Sequence, residues 1–542
     1  MPIRVQSGDP AFDALPSAVA EWFEAAAVTL ALGDEVVRGY RAARTATVSL
    51  REHSRALSSG VYLHADVTSA LDVFFRAPLP DGSLFDTFAA LPEPEDVQPA
   101  LSPLHFDDLI RRLRLWRQLL HADSESLAVR AAFHVWQATG NKMWLQSHLP
   151  TLDRALSHLW RHPHRWSGEL DLPKRAFTLD SWPVEFCAAP GETRLDTQAS
   201  TGLGAQTKWC VHPGDAAQLH AACRDLALMH AAVGNESDAA RWRERAEHLE
   251  AQLNSVGWNG QFYTHQIHLS PVRVRGVDEA RQLAACNAFA MNAGVANQEQ
   301  CAAILKEYVR RRELSMETSF SEWWSVQPPF PAAAFGTAPG SGANGGLWPL
   351  VGGELALAAL QHGSENYGVE TLRRYYDLAV KPRRSFAWYA PDGSVPHDGG
   401  VPRDESEYSQ APYDPSGASA MLRALVEGVC GVRDDGVLFD HIHLAPRWPA
   451  TGQAAAEVEV SYASNPAYIS YRWALDGGRM TLDWDCKAKH IDLHILLPRG
   501  NTPERVALNG RTHPYGLVSI EKSKYVDLST EKKRGTVAIT LK

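Results

Sequence analysis

The sequence predicts a mainly α-helical protein in which a long run of helical hairpins is followed by an antiparallel β-sandwich. Three observations support this prediction. At least four helices end on a glycine that is followed at once by the start of another helix. Long loops rich in Trp, Pro, Gly and acidic residues separate the hairpins. After about Asp434 the apolar residues alternate at period two, which is typical of β-strands.

The helical hairpins are recognised by their ends. Glycine takes the left-handed conformation that closes a helix, and a following Asn or Ser can cap the next one. The glycines in question are Gly140, Gly234, Gly294 and Gly363. Successive hairpins can form a bundle, a solenoid or a closed toroid. The lack of a fixed period of about 34 residues argues against a TPR-type solenoid. Residues 14–32 are also predicted to be helical.

Three loops are long enough to suggest a function. They cover residues 163–213, 313–346 and 384–415. Loops of this length inside a compact domain usually carry a binding or catalytic site. Their spacing places them at similar ends of successive hairpins, so we expect them to converge on one face of a toroid. The predicted domains are a helical catalytic domain, 1–432, and a β-sandwich, 433–542, with 1–100 the least clear part of the first.

Composition and charge exclude several classes of protein. The 542 residues include 53 basic and 63 acidic side chains, and no basic stripe suggests a nucleic-acid partner. No apolar run is long enough to span a membrane. The seven cysteines are scattered, which favours free thiols in the cytoplasm. The alternative is a mature secreted form whose signal peptide has been removed. The sequence does not predict the oligomeric state.

Acidic residues framed by tryptophan occur in the first two loops. Asp180 and Glu185 flank Trp182, and Glu322 precedes Trp323 and Trp324. Glycosidic bond cleavage needs one carboxyl group to protonate the leaving oxygen and a second to activate water or attack the sugar. Tryptophan rings stack on the apolar faces of sugars. The pattern therefore predicts a carbohydrate substrate.

The remaining candidate residues are proposed to bind the substrate. They are His212, Trp348, Glu354, Trp388 and His397. Glu354 is chosen because a carboxylate on an otherwise apolar helix must be paired or face a cavity. Asp215 is instead interpreted as the cap of the helix that follows His212. No cofactor motif or metal-ligand spacing is recognised, and His441 and His443 are interpreted as surface residues.

Two late segments carry a resemblance to the six-hairpin glycosidases. These are GANGGLWPLVGGELALAALQHG, residues 342–363, and YDPSGASAMLRALVEGVCGVRDDGVLFDHIHLAPRWP, residues 413–449. Together with the hairpins before them and the sandwich after them, they resemble that superfamily over about residues 100–542. The resemblance implies an (α/α)6 toroid and a glycoside hydrolase that removes a terminal sugar from a small glycoside or oligosaccharide.

The nearest functional resemblance is to the inverting α-L-rhamnosidases. Residues 318–324, TSFSEWW, are similar to their Thr-Thr-x-x-Glu-x-Trp segment, which implies that Glu322 is the general base. Asp180 occupies a place comparable to their acid. The chain departs from the trehalase and mannosylglycerate-hydrolase pattern, because Ala387 stands where those enzymes have a carboxylate.

Several different functions remain open from the sequence. A polysaccharide lyase or sugar epimerase on a similar toroid would rest on His212, Tyr389, His397 and Arg403. A glycoside phosphorylase and a sugar-binding protein without turnover are also compatible with it.

Overall fold

The computed structural model describes residues 2–41, 46–91, 104–179, 203, 207–395 and 411–542. Of the expected site residues, Asp180, Trp182, Glu185 and His397 lie outside these ranges, as does Arg403. The described helices, numbered α1 to α14, are Pro10–Asp13, Leu15–Ala26, Leu50–Gly60, Ser69–Arg76, Ser124–Thr139, Lys142–Arg161, Pro213–Ala232, Glu236–Gly257, Cys286–Asn292, Gln298–Ser315, Ala332–Phe335, Pro349–Gln361, Glu365–Tyr375 and Pro415–Arg423. Wider π-type turns extend α13 over Tyr376–Val380 and α14 over Ala424–Val429.

The predicted glycine stops are confirmed. Gly140, Gly234, Gly294 and Gly363 all have φ between 64° and 85°. Gly140 closes α5 by donating its backbone N–H to Trp136. Asn141 then caps α6, because its side chain accepts from the amide of Trp144 at 3.0 Å.

Six helices pack against one another in a closed order. Helix α3 contacts α5, α5 contacts α7, α7 contacts α9, α9 contacts α12, α12 contacts α14, and α14 contacts α3. We call these the inner helices. Three further helices pack against the inner ones from their own hairpins: α6 packs against α5, α8 against α7, and α13 against α12.

Short strands lie between the helices of the helical part, and longer strands form the C-terminal region. The strands β1 to β14 are Ile3–Gln6, Ala27–Leu32, Glu35–Tyr40, Thr47–Ser49, Thr87–Ala90, His105–Asp108, Leu113–Trp116, Trp166–Ser167, Leu172–Pro173, Arg175–Ala176, Trp209–Val211, Ile267–His268, Leu283–Ala284 and Val326–Gln327. Strands β15 to β25 are Val432–Asp434, His441–Leu444, Ala455–Ser461, Tyr468–Asp476, Arg479–Cys486, His490–Leu496, Pro503–Leu508, Arg511–Thr512, Gly516–Ile520, Ser523–Thr530 and Arg534–Leu541.

The C-terminal region contains two large sheets. One has the order β1-β17-β18-β19-β25-β21-β22, and the other β15-β16-β20-β24-β23. Strands β17 to β20 alternate buried residues with more exposed ones, as the sequence predicts. Their buried apolar side chains belong to one contiguous core. The region is not wholly antiparallel, because β16 and β20 run parallel.

Two expectations about the N-terminal part need correction. The helix expected over residues 14–32 ends at Ala26, and Ala27–Leu32 form β2, paired with β3. Strand β1 belongs to the C-terminal sheet, where Ile3 pairs with Val460 and Val5 with Val458. The first residues therefore pack with the β-rich region although they begin the chain.

Among the described helices, none is both long and apolar enough to cross a membrane. The six cysteines that the structure describes are all buried free thiols, and Cys187 lies outside the described residues.

Candidate active site

A small cavity opens where the inner helices begin. We call it the mouth cavity. Four of its lining residues are the N-cap residues of inner helices: Asp123 of α5, His212 of α7, Ala285 of α9 and Trp348 of α12. Because helix N-termini carry partial positive charge, this end of the inner helices favours negatively charged groups.

The three long loops meet at this cavity, as expected from the sequence. The first provides Leu179 and His212, the second Ser325 and Ala343, and the third Trp388. The other residues that line it are Arg51, Arg55, Leu127, Gly214, Asp215, Gln218, His265, Ala284 and Phe289.

Two tryptophans form the aromatic wall of the mouth cavity. The ring centroids of Trp348 and Trp388 are 4.7 Å apart, and the rings are tilted by 31°. Their neighbours Leu347 and Tyr389 exchange two backbone hydrogen bonds of 2.8 and 2.9 Å, which holds the second and third loops together. The guanidinium of Arg55 lies 5.4 Å from the Trp348 ring centroid. A flat apolar surface beside charged groups suits a sugar ring.

Of the two carboxylates that line the mouth cavity, Asp123 lies closer to its arginine partners. The Nε of Arg51 lies 3.0 Å from it and a terminal nitrogen of Arg55 3.6 Å. Burial alone would raise the pKa of Asp123, but the charges of Arg51 and Arg55 outweigh it and lower the pKa. Asp123 is therefore ionised at neutral pH.

Asp215 is the second carboxylate of the mouth cavity. It lies in the first turn of α7, whose N-cap is His212, so it is not the cap that the sequence suggested. One oxygen is 3.5 Å from Arg175, and the other is 3.5 Å from Nδ1 of His212. Its negative charge raises the pKa of Asp123, which offsets part of the effect of the arginines.

Two histidines face each other across the same cavity. The ring centroids of His212 and His265 are 5.7 Å apart in an edge-to-face arrangement. Both line the mouth cavity, so the expectation that His212 faces the site agrees with its position. His265 is almost fully buried.

A second small cavity lies beside the first and shares Arg55, Leu127, Gln218 and Phe289 with it. We call it the inner chamber. Glu354 lines it, and Nδ2 of Asn292 donates to the Glu354 carboxylate at 2.5 Å. Arg130, His134 and Arg423 are also in its wall. Glu354 thus faces a cavity, as its position on an apolar helix suggested.

Glu322 does not line either cavity. It has no exposed surface, and its two oxygens accept hydrogen bonds of 2.7 and 2.8 Å from Arg374. Arg312 adds a second cation at 3.8 Å. Because these contacts tie α10 and α13 to the loop, the carboxylate serves as a buried ion pair. We therefore do not retain Glu322 as the base.

The two tryptophans that follow Glu322 are also away from the cavities. Trp323 is fully buried, with Arg374 5.7 Å from its ring centroid. Trp324 packs with Leu347 and Tyr389, and its Nε1 donates to Ser319 at 3.2 Å. From this segment only Ser325 reaches the mouth cavity among the residues described.

No sequence pattern predicted Arg51, Arg55 or Asp123 as site residues. Arg51 and Arg55 are one helical turn apart on α3, in the part of the sequence that was least clear. The one signal in the sequence was the segment His121-Ala122-Asp123-Ser124, an acidic cap position before a long helix. Such a cap is common in any helical protein, so it does not distinguish a site.

The comparisons with known proteins agree with this architecture. No family model matches the chain, and no curated protein matches its sequence. Among solved structures, an α-L-rhamnosidase from Dictyoglumus thermophilum superposes with a TM-score of 0.59 at 9% identity, covering 99% of this chain and 50% of that one. A GH78 family rhamnosidase from Bacillus sp. GL1 superposes with a TM-score of 0.56 at 17% identity. The match covers 91% of this chain and 43% of that one.

A third similar structure is shorter. The GH63 mannosylglycerate hydrolase from Thermus thermophilus, solved with glucose, gives a TM-score of 0.50 at 14% identity. The match covers 75% of this chain and 99% of that one. The chain shares its fold with these three structures. It spans half or less of the length of the two rhamnosidases that it matches.

Proposed function

We propose that this protein is a glycoside hydrolase with an (α/α)6 toroid, and that the mouth cavity is its active site. The closed order of the inner helices supports the toroid. The observation that carries the activity is the presence of Asp123 and Asp215 in one cavity with Trp348 and Trp388. Two carboxylates beside a stacking surface are the parts that glycosidic bond cleavage needs. The fold of the neighbouring structures agrees with this proposal.

The proposed mechanism is hydrolysis with inversion. Asp123 acts as the base, because the arginines keep it ionised and Asp215 limits how far its pKa falls. It takes a proton from a water molecule that attacks the anomeric carbon, while a carboxylic acid protonates the leaving oxygen. Asp180 stays the proposed acid. It directly follows Leu179, which lines the mouth cavity.

The remaining residues of the site are proposed to bind the sugar. Trp348 and Trp388 would stack on the ring, and His212 and His265 would contact hydroxyl groups. Glu354 and the other polar groups of the inner chamber would receive the part of the sugar that reaches furthest between the helices. The expected substrate is a small glycoside or oligosaccharide that loses a terminal sugar.

The test compares the wild type with Asp123→Asn on aryl glycosides and short oligosaccharides, with the product anomer followed by NMR. We expect release of an inverted sugar and a loss of kcat of about 100- to 10,000-fold in the variant, the range for a missing general base. Asp180→Asn and Asp215→Asn are assayed in parallel. Retention of anomeric configuration would contradict inversion, and an Asp123→Asn variant as fast as the wild type would contradict its role.

A second candidate function rests on His212 and His265. Two imidazoles in one cavity could move a proton to and from carbon, as a polysaccharide lyase or a sugar epimerase requires. Tyr389 does not support this function, because it is buried and its hydroxyl accepts from the amide of Phe386. An unsaturated product or deuterium uptake from D2O would favour the second candidate.

The same panel of substrates distinguishes a phosphorylase from a binding protein. Release that depends on added phosphate would indicate a phosphorylase. Thermal stabilisation by saccharides without any product would indicate a binding protein. The free thiols among the described cysteines support the proposal of a cytoplasmic location.

A further inference from the structure

Strands β16 and β20 present a row of polar side chains on one face of the five-stranded sheet. The two strands are parallel, with His441 paired to His490 and His443 paired to Asp492. The alternating residues Ile442, Leu444, Ile491 and Leu493 point into the core and are buried. Because successive residues face opposite sides of a sheet, His441, His490 and Asp492 share the outer face. All three are partly exposed.

These three side chains converge on one point. Nε2 of His441 is 2.8 Å from one oxygen of Asp492, and Nε2 of His490 is 2.9 Å from the other. The two imidazole ring centroids are 4.9 Å apart. One donor atom from each residue lies within 4.8 Å of the other two.

The spacing of the donor atoms suits a metal ion with tetrahedral geometry. Zinc binds imidazole nitrogen and carboxylate oxygen at about 2.0–2.2 Å, so neighbouring ligand atoms in a tetrahedron are about 3.3–3.6 Å apart. The two observed nitrogen–oxygen contacts, 2.8 and 2.9 Å, are shorter than this by about half an ångström. Small rotations of the partly exposed side chains can increase these distances to those of a zinc site. The sheet already fixes the three Cα positions, so binding costs little backbone ordering.

The charge of the group also favours a cation. Asp492 is partly exposed, and a solvated aspartate carboxylate carries its negative charge at neutral pH. The nearby amine of Lys489 is paired with Asp440 at 3.0 Å, which reduces its repulsion of an ion. In the absence of metal, the imidazole N–H groups satisfy the same carboxylate as hydrogen-bond donors.

We propose that His441, His490 and Asp492 bind one zinc ion, with water as the fourth ligand. Two nitrogen ligands favour zinc over calcium or magnesium, which prefer sites built of oxygen. The ion would join β16 to its neighbour β20 in the five-stranded sheet. Because its ligands are 49 residues apart along the chain, the link would restrict the unfolded state and stabilise the β-rich region.

The next polar pair along the same face is different. Nδ1 of His494 is 2.6 Å from Asp527, and its ring stacks on Tyr525 with centroids 3.9 Å apart. These contacts hold the His494 ring in place without Asp492. The proposed site therefore ends at Asp492.

The experiment measures zinc binding by the untagged full-length protein after removal of metals with EDTA. Calorimetry and elemental analysis give affinity and stoichiometry, and cobalt absorption reports a tetrahedral site. We expect one equivalent of zinc and a rise in the thermal midpoint of the wild type. His490→Gln and Asp492→Asn should weaken binding by at least the roughly 10- to 100-fold that loss of an outer partner costs.

The matched control is His513→Gln, in the same β-rich region, where Nδ1 of the ring lies 2.7 Å from the carbonyl oxygen of the neighbouring Pro514. It should bind zinc like the wild type. Circular dichroism in EDTA checks that each variant is folded, which is expected because the replaced side chains lie on the outer face. Failure of the wild type to bind zinc, unchanged binding by both site variants, or preference for calcium would overturn the proposal.

Discussion

At the scale of single residues, whether a carboxylate can take part in catalysis depends on its surroundings. Asp123 and Glu322 both contact two arginines, yet only Asp123 lines a cavity. Glu322 has no exposed surface and is held by Arg374 at both oxygens. A carboxylate in such a place contributes to stability rather than to chemistry.

This difference gives the first prediction. Glu322→Gln should lower the free energy of unfolding by about 3–5 kcal/mol, because the charge of Arg374 loses its partner inside the protein. Activity per folded molecule should stay within a few-fold of the wild type. Urea unfolding and active-site titration measure the two effects separately. If the variant is stable but inactive, Glu322 belongs to the catalytic machinery after all.

Asp414 gives a prediction about pH. It caps α14, where its carboxylate accepts from the amides of Ser416 and Gly417 at 3.2 and 2.8 Å. Burial raises its pKa to about 6 despite these hydrogen bonds. The folded protein therefore binds this proton more tightly than the unfolded chain does, so the contribution of Asp414 to stability falls as the pH rises from about 4 to about 6.

The size of this effect follows from the shift. A change from 3.8 to about 6 corresponds to about 3 kcal/mol across that pH range. In Asp414→Asn this loss should disappear, so the unfolding midpoint should fall less between pH 4 and 6 than in the wild type. Asp476→Asn, at an exposed position, is the control. An unchanged slope in Asp414→Asn would show that Asp414 is not protonated in this range.

At the scale of elements, helix α12 depends on the absence of side chains at its contact with α14. A Cβ added at Gly353 would lie 2.4 Å from the carbonyl carbon of Ala420 and 2.7 Å from the amide nitrogen of Met421. These are backbone atoms of the neighbouring inner helix, so they could move away only if the whole helix shifted. The two helices can approach this closely only with glycine.

Gly353→Ala should therefore destabilise the protein by about 1–3 kcal/mol, the usual cost of overpacking. This outweighs the gain of about 1 kcal/mol that alanine brings to a helix interior. Gly168→Ala is the control, because nothing lies within 4 Å of the added carbon there. Urea unfolding measures both, and equal stability of the two variants would contradict close packing of α12 on α14.

The helices and strands are also the part of the structure that the sequence could predict. Gly140 and its counterparts mark helix ends by local conformation, and strand alternation is visible within a few residues. Contacts between distant residues leave no such local signal. Arg55 meets Trp348 only because the inner helices close on themselves, which joins residues 293 positions apart. The tryptophans beside Glu322 suggested a site, but the same pattern also occurs in a core.

At the scale of the whole molecule, the two ends of the chain are joined. Strand β1 is the edge strand of the seven-stranded sheet, and its residues alternate between core and solvent. Ile3 and Val5 are buried, whereas Arg4 and Gln6 are exposed. The helical part therefore has its start and its end attached to the same β-rich region. Without β1, the backbone groups of β17 that pair with it would become the exposed edge of the sheet.

The last prediction tests this link with two neighbouring residues. Val5→Ser should destabilise the protein by about 1–3 kcal/mol, because it removes apolar area from the core and places a hydroxyl there. Gln6→Ser, on the solvent side of the same strand, should change stability by less than about 0.5 kcal/mol. Deletion of residues 2–7 should have a larger effect than Val5→Ser and promote aggregation through the β17 edge. Light scattering and urea unfolding measure these outcomes. Equal stability of Val5→Ser and Gln6→Ser would mean that β1 does not hold the sheet together in solution, and the two ends of the chain would then be independent.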